Sequence, residues 1–180
     1  MILESRETQI ETSSNFQALD FGIRQTDMDL VIEILRSKMY KNPIGAICRE
    51  ISSNSRDANR EASNFSPIEI GIQDSPFITS ELCIYFKDGG LGISPDRMGD
   101  VFVNYGASTK RDSNEFTGGF GLGAKTPFSY SDNFWIETVY ENVRYSYCAA
   151  IEEGKRGKIY LLSSKETDEE SGTTIIVPIK

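Results

Sequence analysis

Histidine is absent from the chain. That absence excludes zinc sites of the usual kind, Ser-His-Asp and Cys-His catalysis, and any histidine phosphoacceptor within these residues. Cysteine is scarce: Cys48, Cys83 and Cys148 stand far apart with no C-x-x-C pair. An odd number cannot close a disulfide framework, so they read as reduced core residues of a cytoplasmic chain. No stretch approaches the roughly 18 apolar residues of a membrane span, and MILESRETQIETSSN at the N-terminus lacks the basic start and apolar core of an export signal. The chain is expected to be neither exported nor integral to a membrane. Basic residues are also in short supply. Nineteen Lys and Arg against 27 Asp and Glu give a formal charge of −8. This argues against the broad basic face that sequence-independent nucleic-acid binding needs, so no direct nucleic-acid partner is expected, although a local basic patch is still allowed.

What is present suits one globular domain over 1–180: 38% hydrophobic and 26% charged residues, with ten Phe and eight Tyr. There is no internal repeat or low-complexity tract. Residues 1–26 mix polar runs with Phe16, Ala18 and Phe21, as an N-terminal arm and edge strand would. From Asp27 the pattern turns helical. Asp27 or Asp29 can cap a stripe of Leu30, Val31, Ile34, Leu35 and Met39 that stops before Asn42-Pro43. A second helix, roughly Pro43 to Ala62, starts at that proline and places Ile44, Ile47, Ile51 and Ala58 on one core-facing stripe.

After Pro67 the period becomes two: Ile68, Ile70 and Ile72 alternate with polar neighbours, as do Leu82, Ile84 and Phe86. Four further strands are expected over residues 134–140, 143–149, 158–163 and 173–179, a meander that completes an α+β layer. Between the two strand groups lies a glycine-rich stretch from Asp88 to about Tyr130, too irregular for either period. A strand ends the chain at Lys180, and the expectation is the N-terminal part of a longer protein.

Chemistry concentrates in four places. On the second helix, Glu50, Asn54 and Asp57 fall at i, i+4 and i+7, within an arc of roughly 60° at about 100° per residue. That arc borders the apolar stripe, where a carboxylate can position or deprotonate a water and an amide oxygen can serve a hydrated Mg²⁺. Taken alone, the alignment is commoner on an ordinary half-exposed helix, and Glu61 shares the arc. DGGLG, from Asp88 to Gly92, puts an acceptor carboxylate at a strand end beside glycines that let a ligand approach the backbone. By itself it also fits a plain turn with a solvated Asp.

GGFGLGAKT, from Gly118 to Thr126, runs from loop into an expected short helix whose free N–H groups can hold an anion such as phosphate. It is not the Walker pattern, and a lone match of this kind is weak. Between the glycine motifs, the polar run 105–116 supplies Ser108, Thr109, Lys110 and Arg111, which can fold over phosphates or equally form a solvated loop. Finally SGTT, 171–174, opens the last strand with hydroxyls, which strands often do.

Taken in order, ExxxNxxDA (Glu50 to Ala58), DxGxG (Asp88 to Gly92), GxxGxG ending at Gly123, and the late Gly172-Thr173 resemble the four nucleotide-binding boxes of the GHKL ATPases, the gyrase, heat-shock-chaperone, histidine-kinase and MutL superfamily. The resemblance spans about 30–178. EISSNSRDAN is similar to the matching helix of the ninety-kilodalton heat-shock chaperones, and GASTK before GGFGLG to the lid of MutL proteins. Within the superfamily, residues 106–130 most resemble the phage rapid-lysis rIIA-type proteins, which would place the chain in the host cytoplasm.

The resemblance implies a two-layer Bergerat fold, a mostly antiparallel sheet with helices on one face, with ATP between helices and a lid at 103–118. It further implies that Glu50 polarises the attacking water, Asn54 ligates Mg²⁺, and Asp57 supports that metal's shell. Asp88 would accept the adenine amino group; Gly90 and Gly92 would let the backbone near the base. Thr173 would hold Asp88 and a water, and Gly119, Phe120, Gly121, Leu122 and Gly123 would cradle phosphate. Ser108, Thr109 and Lys110 belong to the implied lid, and Lys110 and Lys125 are phosphate-neutralising candidates.

ATP and Mg²⁺ are the implied ligands, and an ATP-dependent homodimer is the implied assembly, with peripheral membrane association open through a partner. Gyrase- and MutL-type members complete their site with a Lys from a following domain that this sequence does not contain, so hydrolysis is expected to be slow or absent. Two other readings remain open here: an ATP-holding scaffold module without turnover, and the ATPase part of a MutL- or topoisomerase-like DNA-processing protein.

Overall fold

The structure, a computed structural model, describes Ile34 and residues 40–78, 81–99, 123–151 and 157–179. The expected arm and lid lie outside the described residues, as do Ser108, Thr109, Lys110, Gly119, Phe120, Gly121 and Leu122. Of the expected first helix only Ile34 is described, helical and half exposed.

Helix α1 spans Pro43–Glu61. The Asn42 side chain accepts the Gly45 amide at 2.9 Å and Pro43 occupies the first turn, so both start signals act. The helix ends where Ser63 turns to positive φ. Its buried face carries Ala46, Ile47, Ile51, Ser55, Asp57 and Asn59. Ile44, expected on that stripe, is instead half exposed, because it lies in the first turn, ahead of the part of the helix that reaches the core.

Among the described residues six strands follow: β1 (Glu69–Asp74), β2 (Leu82–Asp88), β3 (Asn133–Tyr140), β4 (Val143–Ile151), β5 (Gly157–Glu166) and β6 (Gly172–Pro178). They form one sheet in the order β1-β2-β6-β3-β4-β5, with every pairing antiparallel. The last strand in sequence thus lies at the centre, between β2 and β3. Between β2 and β3 in sequence come a short helix, α2 (Pro95–Arg97), and a 3-10 helix over Gly123–Ser129. β3 and β4 join through Glu141 and Asn142, both at positive φ, as a two-residue hairpin turn requires.

The segment after the second glycine motif is 3-10 rather than α-helical. Pro127 inside it has no N–H to give, and the Thr126 and Ser129 hydroxyls cap carbonyls three residues back at 2.7 Å.

The sheet's period of two sorts the core. On the helix-covered face, Phe86, Phe134, Ile136, Ile175 and Val177 pack with Ile47 and Ile51 of α1 and with Phe128 of the 3-10 helix. On the opposite face Cys83, Trp135 and Ile176 form a smaller cluster, with Phe77 stacked 5.3 Å from Trp135. The alternating Ile70 and Ile72 form a strand as expected but stay 49% and 66% exposed. Among the described strands theirs is the outermost on that side, and α1 packs on β2 instead.

Candidate functional site

The register places three of the sheet's polar residues side by side. Asp88 pairs with Thr173, and Thr173 pairs with Thr138, giving a polar row across β2, β6 and β3. Two residues back on the same face, Phe86, Ile175 and Ile136 form an apolar row. All three polar residues are buried.

Asp88 is tied on several sides. Its Oδ1 accepts the Gly90 amide at 3.0 Å and the Thr173 amide at 3.1 Å, and the Ser55 hydroxyl of α1 donates to the same carboxylate. Burial pushes the carboxyl from 3.8 up to about 6, against the opposing pull of those three donors. A side chain so placed is an acceptor held at the edge of ionisation.

The DGGLG segment is anchored by residues that the motif does not contain. Asn59 Oδ1 accepts the Gly89 amide at 2.8 Å, while Asn64 Nδ2 donates to the Gly89 carbonyl at 2.9 Å. A Cβ on Gly90 would lie 2.9 Å from that of Ala58, so this glycine is required by the close approach of α1. Gly92 sits at φ +76°, where a side chain would also strike the Val139 carbonyl. One residue on, the Ile93 amide donates to Thr138 Oγ1 at 2.8 Å.

The middle of α1 meets the end of the second glycine motif. A Cβ on Gly123 would lie 3.1 Å from Glu50 Oε2 and 3.4 Å from Asn54 Nδ2, so the three are neighbours. Glu50 is partly exposed and its Oε1 accepts from Arg49 at 3.0 and 3.2 Å. Burial, then the charge of Glu50, raises the Tyr40 phenol above its ordinary value, so it stays protonated nearby.

Asp57 shares the helical arc but not the environment. Its side chain is fully buried, with Arg56 Nη2 3.8 Å from Oδ1. Lys125 is buried in the 3-10 helix, where desolvation pulls its ammonium from 10.5 down to about 8.

Of the expected site residues inside the described segments, Asp88, Gly90, Gly92 and Thr173 gather by the C-terminal half of α1, and Glu50, Asn54 and Gly123 by its middle. Among the described residues no group of three or more Cys, Asp and Glu side chains could hold a metal alone. One amide oxygen beside one carboxylate fits a magnesium that arrives with phosphates and keeps waters, as this ion prefers. A groove of about 330 Å³ lies along α1, lined by Ser52, Arg56, Arg60 and Phe65 among others, and it borders the site through Asn59 and Asn64.

Sequence reasoning missed Ser55, Asn59, Asn64 and Thr138. A signal existed for three of them. Ser55 falls one turn after Ile51 on the buried stripe, and Thr138 is in phase with Phe134 and Ile136, so each is a hydroxyl where the period demands an apolar residue. Asn59 is likewise a polar residue on the buried stripe of α1, one turn after Ser55, while Asn64 acts through loop geometry that has no period.

These features define an α+β protein with a mostly antiparallel sheet and helical cover on one face, the two-layer Bergerat arrangement expected from the sequence. Among solved structures it is similar to the ATPase region of Saccharomyces cerevisiae topoisomerase II bound to ICRF-187 (dexrazoxane), with a TM-score of 0.55 and 18% identity over 73% of this chain. The match covers 36% of that structure's chain, so the present sequence spans little more than a third of it. No family model and no curated protein matches the sequence. Among the described residues no helix is long and apolar enough to cross a membrane.

Proposed function

We propose that the chain binds ATP with magnesium and hydrolyses it slowly, using binding to close its lid and pair with a second copy. The observation that carries this reading is the way α1 joins two chemistries. Its Ser55 and Ala58 meet the Asp88 turn, and its Glu50 and Asn54 meet Gly123. Along the helix Ser55 lies five residues beyond Glu50, about 7.5 Å at 1.5 Å per residue, and Ala58 eight residues beyond it, about 12 Å. An acceptor carboxylate at one end suits the adenine amino group, while guanine would present a carbonyl there and be repelled.

Nearer the middle of the helix Glu50 is the residue to orient a water and take its proton, with Oε2 turned to Gly123 and Oε1 held by Arg49. Asn54 would hold the magnesium, whose bound charge offsets that of the phosphates. Asp57, being buried, would act on that shell only by fixing the helix, and Lys125 would regain full charge beside phosphate. Gly90 and Gly92 would set the turn at the base, and Thr173 would support Asp88. Ser108, Thr109, Lys110 and the amides of Gly119 to Gly123 would close over the phosphates.

Within this class, the run from Gly106 to Tyr130 favours a role like that of the rIIA-type phage proteins in the host cytoplasm. Calorimetric titration of Mg-ATP and Mg-GTP into the chain and into Asp88→Asn and Glu50→Ala tests the reading. ATP is expected to bind and GTP not, with binding lost in Asp88→Asn and largely kept in Glu50→Ala, whose turnover falls. Equal affinity for both nucleotides would remove the role of Asp88, and unchanged turnover in Glu50→Ala would remove that of Glu50.

A further inference from the structure

Thr138 lies outside all four sequence boxes, yet its hydroxyl is a junction. Thr138 Oγ1 accepts the Ile93 amide at 2.8 Å and lies 3.1 Å from the Gly172 carbonyl oxygen and 3.0 Å from Thr173 Oγ1. The group is buried, so each contact has to be accounted for. A hydroxyl has one proton to give, and a carbonyl has none. If Thr138 gave its proton to Thr173, two unprotonated oxygens, its own and that of Gly172, would face each other at 3.1 Å. If it gives the proton to Gly172, Thr173 gives its own to Thr138 and all three contacts are hydrogen bonds. The second arrangement satisfies every group and therefore prevails.

We propose that Thr138 is a positioning residue that fixes the Thr173 hydroxyl as an acceptor, so that Thr173 and Asp88 together present an acceptor-only edge to the base. The Thr173 proton is committed to β3, which leaves its lone pairs for whatever arrives beside the Asp88 carboxylate. Such an edge takes an amino group, or a water that bridges to one, and repels a ring carbonyl. Selection of a 6-amino over a 6-oxo purine is thus shared by two residues and set by a third that does not touch the ligand. This rests on the adenine reading of Asp88 given above.

The test compares Mg-ATP with Mg-ITP, whose base carries a 6-oxo group and an N1–H in place of the 6-amino group and bare N1 of adenine, in the 180-residue chain and in Thr138→Val and Thr138→Ser. Wild type is expected to prefer ATP. Thr138→Val, near-isosteric but without the hydroxyl, frees the Thr173 proton and is expected to cut the ATP-to-ITP affinity ratio about tenfold, while Thr138→Ser restores it. A merely structural role would weaken both nucleotides together and leave the ratio unchanged, and that result overturns the proposal. A wild type with no preference, or binding neither nucleotide, overturns the adenine reading and this inference with it. Should Thr138→Val fail to fold by circular dichroism, Thr138→Ala removes the same hydroxyl with less crowding, and the same ratio decides.

Discussion

Two neighbouring rows of one sheet face do opposite work. Phe86, Ile175 and Ile136 are buried apolar side chains under α1, and they hold the layers together. Asp88, Thr173 and Thr138, two residues along the same strands, are buried as well but polar. Burial that favours the first row penalises the second, as the raised carboxyl of Asp88 records. The difference teaches that the fold gives up stability at one end of its core, where a buried carboxyl stands in a position that an apolar side chain would fill at less cost. The helix above makes the same division, with Ile47 and Ile51 over the apolar row and Ser55 reaching the carboxylate.

The strongest way to break the comparison is to hollow out the apolar row. Phe86→Ala should cost about 3–5 kcal/mol in denaturant unfolding, the usual loss for a fully buried aromatic. A loss under about 1 kcal/mol would mean the row is not the core it looks to be.

Asp88→Asn should behave in the reverse sense. Asparagine keeps an oxygen for the Gly90 and Thr173 amides and removes the buried charge, so the variant should be more stable than wild type near pH 7 while losing ATP. The sign follows from the shift. A carboxyl raised from 3.8 in the unfolded chain to about 6 in the fold favours folding below pH 4 and loses that contribution as pH rises through 6. The loss is about 3 kcal/mol at most, taking 1.36 kcal/mol per unit. The stability gap between variant and wild type should therefore be small at pH 4 and grow up to pH 7. A gap that is flat with pH would contradict the raised carboxyl.

Asn59→Ala sharpens the comparison at the turn. It leaves the Gly89 amide and Ser66 carbonyl without partners and should cost about 1–3 kcal/mol. ATP affinity should fall further than for a substitution of equal cost in the apolar row, since the turn carries Asp88. Smallest of all, ATP affinity should weaken several-fold between pH 7 and pH 5.5, as Asp88 takes up a proton and ceases to be an acceptor-only group.

Much of this was legible in the sequence. Period two found the strands, Asn42-Pro43 fixed the start of α1, and the spacing of Glu50 and Asn54 placed both on the arc that meets Gly123. Burial was less legible. Ile70 and Ile72 alternate as faithfully as Ile84 and Phe86, yet only the latter strand lies beneath the helix; position in the sheet depends on long-range pairing that no local period records. Asp57 looked like a third partner of Glu50 and Asn54 because helical angle fixes direction but not depth. The clamp of Asn59 and Asn64 on Gly89 was invisible because it joins residues 30 and 25 apart through a loop.

The most direct test of the central claim is a crystal structure of the chain with magnesium and a non-hydrolysable ATP analogue. The account predicts the adenine amino group within hydrogen-bond distance of Asp88, beside Thr173, and the phosphates near Gly123 with magnesium on Asn54. A nucleotide seated away from Asp88, or an adenine turned so that its amino group faces another residue, would contradict it.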